Sequence, residues 1–443
     1  MTTIAAEAVA APTDDAPTED APSDGGRPKI VFVNRYFYPD QSATSQLLTD
    51  LASALAQAGF EVHVICSRQR YDDASIRLAP QESFVGVTIH RVWTTHFGRA
   101  RSLGRALDYA TFYASSALAM LRLLKRDDTV VAKTDPPLIS IVAMMAAKMK
   151  GALLINWLQD IFPEVASRLG ANPLPRALDA LLRGWRDLSL RRAQTNIVLG
   201  EHMRDQLQRA GIALDRIQII ENWAELHPDD PKPSSRSGLR ARLGLEDRFV
   251  VGYSGNLGRA HEFQTLLGAA ELLKSDPNVV FLMIGGGAGM TQLEREVRER
   301  GLRNFRFLAY QPRESLSDCL AAADVHLVSL RPALEGLIVP SKFYGILAAA
   351  RPVVFIGDPD GEVARHIRRS ACGATISIGQ TAQLAQLLSE WRSDRALLER
   401  MGEAGIQYYR ERYSARRALD QWFLVLKPRT RVDGVSPQAL SSR

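Results

Sequence analysis

The chain has 443 residues, 46% of them hydrophobic and 23% charged, and a formal net charge of +6. That length supplies two ordinary hydrophobic cores, and the composition excludes a fibrous or wholly disordered chain. Three widely separated cysteines, Cys66, Cys319 and Cys372, form no CxxC pair, which argues against a disulfide framework or a thiolate metal cage.

Residues 1–28 are rich in Ala, Pro, Asp, Thr and Glu, without the basic start and apolar stretch of a secretory signal, and read as a disordered acidic tail. The remainder is therefore more basic than the net charge implies, which suits an anionic nucleotide, an acidic lipid surface or nucleic acid equally well. The longest strongly apolar run, 138–147, is closed by Lys148. A bilayer needs about 20 apolar residues, so no transmembrane helix is expected.

From the start of the folded part, 29–37, 44–58 and 61–67 read as strand, helix and strand. A helix follows at 103–125, a strand at 130–132, a helix at 138–150, strands at 152–157 and 195–199, a helix at 201–210 and a strand at 217–220. Strands alternating with helices predict a parallel sheet covered on both faces. Periodicity fails across 221–238, a stretch loaded with Asp, Pro, Ser and Lys, and the linker is set at 226–245.

The plan then repeats, with strands at 250–254, 279–284, 305–309, 325–330, 352–356 and 374–378 and helices between and after them. The expected fold class is α/β, two doubly wound Rossmann-like domains at 29–225 and 246–414 that face a central cleft. The amphipathic segment 415–427 should pack back on the first domain, and 428–443 is a tail. In such folds ligands bind beyond the carboxyl ends of the strands, so two substrates could meet in the shared cleft.

Several segments carry candidate chemistry. Gly252, Gly255 and Gly258 leave a strand three residues apart, which is not the dinucleotide fingerprint GxGxxG. Gly255, Asn256 and Gly258 let backbone N–H groups approach a phosphate, and Arg259 either pairs with a diphosphate or is a solvated arginine on an ordinary turn. Gly286, inside the run 285–287, follows the next strand and serves either close packing or a nearby ligand. In Glu335–Gly345 an exposed loop meets a helix start, where Pro340 suits the first turn, Ser341 can cap and Lys342 adds a full charge. Tyr310, after the strand 305–309, completes this set of nucleotide-binding candidates.

Asp160 and Glu164 put carboxylates beside the strand ends of the first domain, where one of them can orient or deprotonate an acceptor hydroxyl; alternatively they cap a turn and sit in solvent. The histidines His63, His90, His202 and His326 have no metal-ligand spacing and read as structural. The helix 174–193 carries Leu174, Leu178, Leu181, Leu182, Trp185 and Leu188 on one face, with Arg183, Arg186, Arg191 and Arg192 around it. Burial of that stripe against the sheet is the expectation. Docking on anionic lipid, helped by Arg99, Arg101 and Arg105, is the alternative.

Five ordered segments carry a family likeness: 36–39 (YFYP), 157–164 (WLQDIFPE), 221–223 (ENW), 255–258 (GNLG), and 340–342 (PSK) with 348–352 (AAARP). Over roughly 29–426 the chain resembles glycosyltransferase family 4, especially the bacterial branch that builds O-antigen, capsule and related surface glycans. The resemblance implies the GT-B fold, an N-terminal acceptor side, a C-terminal donor side, retention of anomeric configuration, and no bound metal or tightly held cofactor. It also implies a nucleotide-sugar donor, UDP-linked by first expectation, and a lipid-linked glycan acceptor at the inner face of the cytoplasmic membrane. The location would be cytoplasmic with peripheral membrane contact, and nucleic acid is not an expected partner. A nucleotide-sugar 2-epimerase of the same fold, or a catalytically degenerate partner in a glycan assembly complex, stand as alternatives.

Departures from the family pattern are specific. Its donor site usually has two glutamates eight residues apart, and these positions fall here on Leu337 and Gly345. Glu335 is the available substitute for the first. The family's arginine and lysine after the first strand of the second domain fall on Asn256 and about His261, which shifts diphosphate contact to Arg259 and Lys342.

Overall fold

The computed structural model describes residues 28–40, 42–70, 76–98, 102–170, 175–224 and 238–427. The expected tails, most of the expected linker, and Leu174, Arg99 and Arg101 lie outside the described residues.

The first sheet contains β1 (Ile30–Val33), β2 (Val62–Ser67), β3 (Gln81–Phe84), β4 (Val87–Val92), β5 (Thr129–Lys133), β6 (Leu153–Trp157), β7 (Thr195–Val198) and β8 (Ile217–Ile219). Their order is β3-β4-β2-β1-β5-β6-β7-β8, and β3 is antiparallel to β4 while the other pairings are parallel. β1 shows why the sheet is covered twice. Ile30 and Phe32 point into a core with the helices Ala43–Gln57 and Ala415–Leu426, whereas Val31 and Val33 enter another with Ser102–Leu123 and Ile139–Lys150. The helix Ala415–Leu426 inserts Trp422 edge-on against Trp157 at 4.7 Å, with Trp223 stacked on the other side at 6.1 Å.

The hairpin β3–β4 is an addition to the expected plan. β3 is largely exposed and carries no apolar alternation, and its turn runs through Val85 and Gly86 with φ of 48° and 79°. Positive φ at both central residues matches the twist that a two-residue hairpin turn requires.

The second sheet contains β9 (Phe249–Asn256), β10 (Val279–Gly286), β11 (Phe305–Leu308), β12 (Val325–Ser329), β13 (Val353–Ile356) and β14 (Gly373–Ile376), ordered β11-β10-β9-β12-β13-β14. Counted within the sheet this is 3-2-1-4-5-6, so the direction of winding reverses between β9 and β12 and a crevice opens at their carboxyl ends. The end of the expected linker belongs to this unit: Gly238–Arg242 is helical, and Leu239 and Leu245 are buried with Val250, Val280 and Cys319. Asp318 accepts the Leu239 N–H at 2.9 Å and Asp324 pairs with Arg240 at 2.8 Å, so polar anchors fix a segment whose composition suggested a loop.

One apolar cluster runs from one sheet's elements to the other's. Leu158, Ile161 and Val165 beyond β6, with Met203 and Leu207 of the helix Glu201–Arg209, pack against Leu334, Leu337, Phe343 and Leu347. The Ile161 N–H donates to the Leu337 carbonyl at 2.9 Å, and Asp160 and Ile338 form an antiparallel bridge. Beside this seam the Glu362 carboxylate accepts the His202 N–H at 2.9 Å and meets His202 Nδ1 at 3.0 Å, while Arg365 pairs with Glu201.

The helix Arg176–Arg192 corrects the expectation for the leucine stripe. Leu178, Leu181 and Trp185 are 40%, 56% and 44% exposed, whereas Arg186, Ser189 and Leu190 are buried. Arg186 reverses the expected polarity because Glu164 and Asp187 pair with it and Phe162 supplies a carbonyl acceptor at 2.6 Å. A guanidinium with that many acceptors can be enclosed.

Candidate functional site

The crevice of the second sheet is built first from glycine. β9 and β10 stay paired to Gly285↔Gly255 and Gly286↔Asn256, past the point where most strands would splay. Gly255 and Gly285 have φ of 117° and 128°, and a Cβ at Gly285 would collide with the Gly255 carbonyl, so both positions require glycine. Leu257 closes the second loop onto the first, its N–H donating to the Gly286 carbonyl and its carbonyl accepting from Gly289, both at 2.8 Å. Close packing thus accounts for much of the 285–287 run. The Tyr310 ring, 60% exposed, lies over Gly286 where a Cβ would meet it at 2.9 Å.

Lys342 enters this crevice from the helix Lys342–Ala348, with exposed Ser341 as the N-cap residue. Its Nζ donates to the Asn256 carbonyl at 3.1 Å, lies 3.4 Å from His261 Nε2 and sits 5.2 Å above the Tyr253 ring. Among the described residues no carboxylate pairs with it, and burial lowers its pKa from 10.5 to about 8. Burial and the neighbouring Lys342 hold His261 near 4, so the ring is neutral. Its Nδ1–H donates to the Ser329 carbonyl at 2.7 Å, which leaves the Nε2 lone pair facing Lys342. Lys342 therefore reaches the space beside His261, where the resemblance put a lysine. Arg259 is exposed beside the same loop and pairs with no described acid; Asn256 and Gly258 complete the turn, with the Asn256 amide against Gly258.

The two departures from the family pattern have different surroundings. Leu337 is buried in the apolar seam, where an ionised carboxylate would be costly. Gly345 has room, since a Cβ there meets only Leu320 Cδ1, at 3.7 Å. Glu335 turns toward the helix Glu362–Ser370: one oxygen accepts the Glu362 N–H at 3.2 Å and the other is enclosed without a partner. Burial, opposed by that N–H bond and reinforced by the Asp358 and Glu362 charges, raises Glu335 to about 7.

Across the cleft, Asp160 follows β6 by three residues and lines a pocket with Lys133, Thr134, Asn156, Phe162 and Arg186. Burial, then the charge of Asp135, raises it from 3.8 to about 7, within reach of general acid–base work near neutrality. Glu164 is differently placed: Arg186 Nη2 and Arg183 Nη1 both lie at 2.7 Å from its Oε1 and Arg186 Nη1 at 3.0 Å from its Oε2, so the carboxylate ties the short helix Glu164–Arg168 to Arg176–Arg192.

Two groups escaped the sequence reading. Lys133 is fully buried at the end of β5, donating to the Thr44 carbonyl at 2.8 Å with Nζ 3.5 Å above the Trp157 ring, and desolvation lowers its pKa well below 10.5. Its signal was a lysine closing a β-branched run. Glu362, which also binds His366 Nε2 at 3.1 Å, gave no local signal, because its partners come from distant segments. Burial alone would raise it; the hydrogen bonds from His366 and His202 outweigh that and hold it below the usual range. Among the described residues no group of three or more His, Cys, Asp or Glu is arranged to hold a metal ion.

Two facing doubly wound sheets, with a glycine-built crevice at the second sheet's reversal point and a lysine there that no described acid neutralises, match the GT-B architecture. Comparison with known proteins takes the assignment further. The family described as "Glycosyl transferase 4-like domain" matches residues 43–223, and "Glycosyl transferases group 1" matches residues 235–408. The chain belongs to glycosyltransferase family 4. It is 24% identical to WcaI of Escherichia coli (strain K12), named for colanic acid biosynthesis, over 74% of this chain and 83% of that protein. Among solved structures it is similar to sucrose-phosphate synthase from Thermosynechococcus elongatus, with TM-score 0.70, 15% identity and coverage of 90% and 98% of the two chains. It is also similar to Anabaena HepE in complex with UDP-glucose, with TM-score 0.65, 17% identity and coverage of 90% and 99%.

Proposed function

We propose that this glycosyltransferase is a retaining enzyme that moves a sugar from a UDP-sugar to a lipid-linked glycan in surface-polysaccharide assembly, acting at the inner face of the cytoplasmic membrane. The observation that carries the donor half is Lys342, a half-buried cation that no described acid neutralises, facing a glycine-built crevice. A leaving diphosphate supplies the missing negative charge. Preorganised donors of this kind stabilise charge that develops as the glycosidic bond breaks, and loss of one costs about 10²–10³-fold in rate. Arg259 adds an exposed second cation from the rim, and Tyr310 offers a face for the base. HepE, which shares the fold, has been solved with UDP-glucose, which favours UDP as the nucleotide. Asp160, poised near neutrality, is the group assigned to take the acceptor proton, and Glu335 is the candidate acid of the donor-side half. No metal enters the proposed chemistry.

The membrane half of the reading rests on the exposed stripe of Leu178, Leu181 and Trp185, continued by Met145 (45% exposed) and Met149 (72%) on the adjoining helix Ile139–Lys150. Lys148 and Lys150 stand beside the methionines. Apolar side chains interleaved with cations suit the boundary of an anionic bilayer. No helix among the described residues is long and apolar enough to cross a membrane.

The test is incubation of the purified protein with UDP-, GDP- and dTDP-sugars, with and without membrane lipid extract, followed by analysis of nucleotide and sugar products. Acceptor-dependent release of UDP supports the proposal. Isomerisation of the sugar without acceptor would assign a 2-epimerase, and nucleotide binding without turnover a degenerate partner.

A further inference from the structure

A second polar pocket lies at the carboxyl ends of β2 and β4, on the same edge of the sheet as Asp160. The two strands are in register to Ser67↔Val92, and the chain leaves them as Arg68-Gln69 and Trp93-Thr94. With Arg77 and His96 these residues line the pocket.

Its floor is fixed. Gln69 is 8% exposed, its amide donating to the Thr95 carbonyl at 2.8 Å while its oxygen accepts from Arg35 at 3.4 Å. Thr94, 7% exposed, has a buried Oγ1 with no hydrogen-bond partner. Such an orphaned hydroxyl is destabilising unless something satisfies it. The walls are cationic: Arg68 is steered by its Nε–H, which donates to the Leu78 carbonyl at 3.0 Å, and no described carboxylate pairs with Arg68 or Arg77. The rim is the Trp93 ring, 63% exposed. Two guanidiniums that no described carboxylate neutralises recognise an oxyanion bidentately, the hydroxyl gives or accepts one further hydrogen bond, and an exposed indole offers a flat apolar face.

We propose that this pocket is the acceptor subsite for an acidic saccharide: an oxyanion on Arg68 and Arg77, with the sugar ring that carries it lying on Trp93. The inference rests on the transferase reading for its place in the reaction, but the pocket's ligand chemistry can be tested without turnover. The oxyanion has two sources, the diphosphate that links a glycan to lipid or a carboxylate on a sugar of the glycan itself.

The full chain is titrated calorimetrically with inorganic pyrophosphate, with glucuronate and with glucose, all with UDP at saturation so that the donor crevice is filled, after UDP affinity has been measured separately. At least one anion should bind while glucose does not, with affinity falling tenfold or more in Arg68→Gln/Arg77→Gln and in the single exposed variant Arg77→Gln, and UDP affinity unchanged. Preference for pyrophosphate assigns the lipid diphosphate, and preference for glucuronate an acidic sugar. Trp93→Ala should weaken glucuronate more than pyrophosphate. Wild-type binding of both anions by the Arg77→Gln chain, or binding of UDP but neither anion by the natural chain, overturns the proposal. Failure of UDP alone to bind counts against the donor reading and leaves the anion result to decide this one.

Discussion

Replacing Lys342 with methionine separates what the lysine does for the fold from what it does for the donor. Burial holds the ammonium at about 8 instead of 10.5, so at pH 7 keeping it charged costs the folded chain about 3 kcal/mol. Against that stands the hydrogen bond to the Asn256 carbonyl, worth about 1.5–3 kcal/mol for a charged donor. The carbonyl is not orphaned by the change, because Tyr253 Oη also donates to it at 2.8 Å. Lys342→Met should therefore leave stability level or raise it by up to about 1.5 kcal/mol at pH 7. The sign with pH follows from the lowered value: between 8 and 10.5 the unfolded chain still binds the proton that the folded chain has released. The natural protein gains stability across that window, and the advantage of the variant disappears by its upper end. Function moves the other way, with donor turnover falling about 10²–10³-fold. Urea denaturation at pH 7 and pH 10, with and without UDP, reads both effects. A variant that loses more than about 1 kcal/mol at pH 7, or that binds UDP as the natural chain does, would refute the reasoning.

Asp160→Asn should abolish the rise in kcat through about pH 7 expected of a carboxylate raised from 3.8, and should stabilise the chain above pH 7, where the folded natural protein must carry that charge buried; a pH–rate profile and denaturation at pH 8 check both. Gly345→Glu has steric room and restores the acid of the family pattern, so the KM for a ribonucleotide-sugar donor should fall, while Gly345→Ala should add about 0.5–1 kcal/mol without changing KM. Leu337→Ala should cost about 2–5 kcal/mol in chemical denaturation through the cavity left in the seam. Leu181→Asp with Trp185→Asp, both exposed, should abolish sedimentation with anionic phospholipid vesicles and leave UDP affinity intact.

The two-sheet plan was legible because the central parallel strands are buried on both faces and read as short apolar runs bounded by turns, as Val279–Gly286 does. β3 was not, since its exposed side chains leave no pattern and only its partner β4 alternates. The stripe on Arg176–Arg192 was read correctly as amphipathic and assigned the wrong face. Periodicity identifies two faces but does not say which is covered, and here Glu164, distant in sequence, draws Arg186 inward. The same limit hid Glu362, whose environment is assembled from His202 and His366. The helix start at Lys342 was legible because helix-start chemistry is local. Its depth below the surface was not, because that depends on Gly255 and Tyr253 meeting it from another strand.

The apolar seam that joins Ile161 and Met203 to Leu337 and Phe343 constrains how this enzyme can move. Pulling the halves straight apart would wet a continuous hydrocarbon surface, whereas rolling one half about the seam keeps those side chains dry and still widens the cleft at its far end. The seam is thus an axle, and substrate entry becomes a rocking motion whose amplitude is smallest near Leu337 and Phe343. It also means that neither half is self-sufficient: each, made alone, would present a sticky face that only the other half of the same chain is shaped to cover.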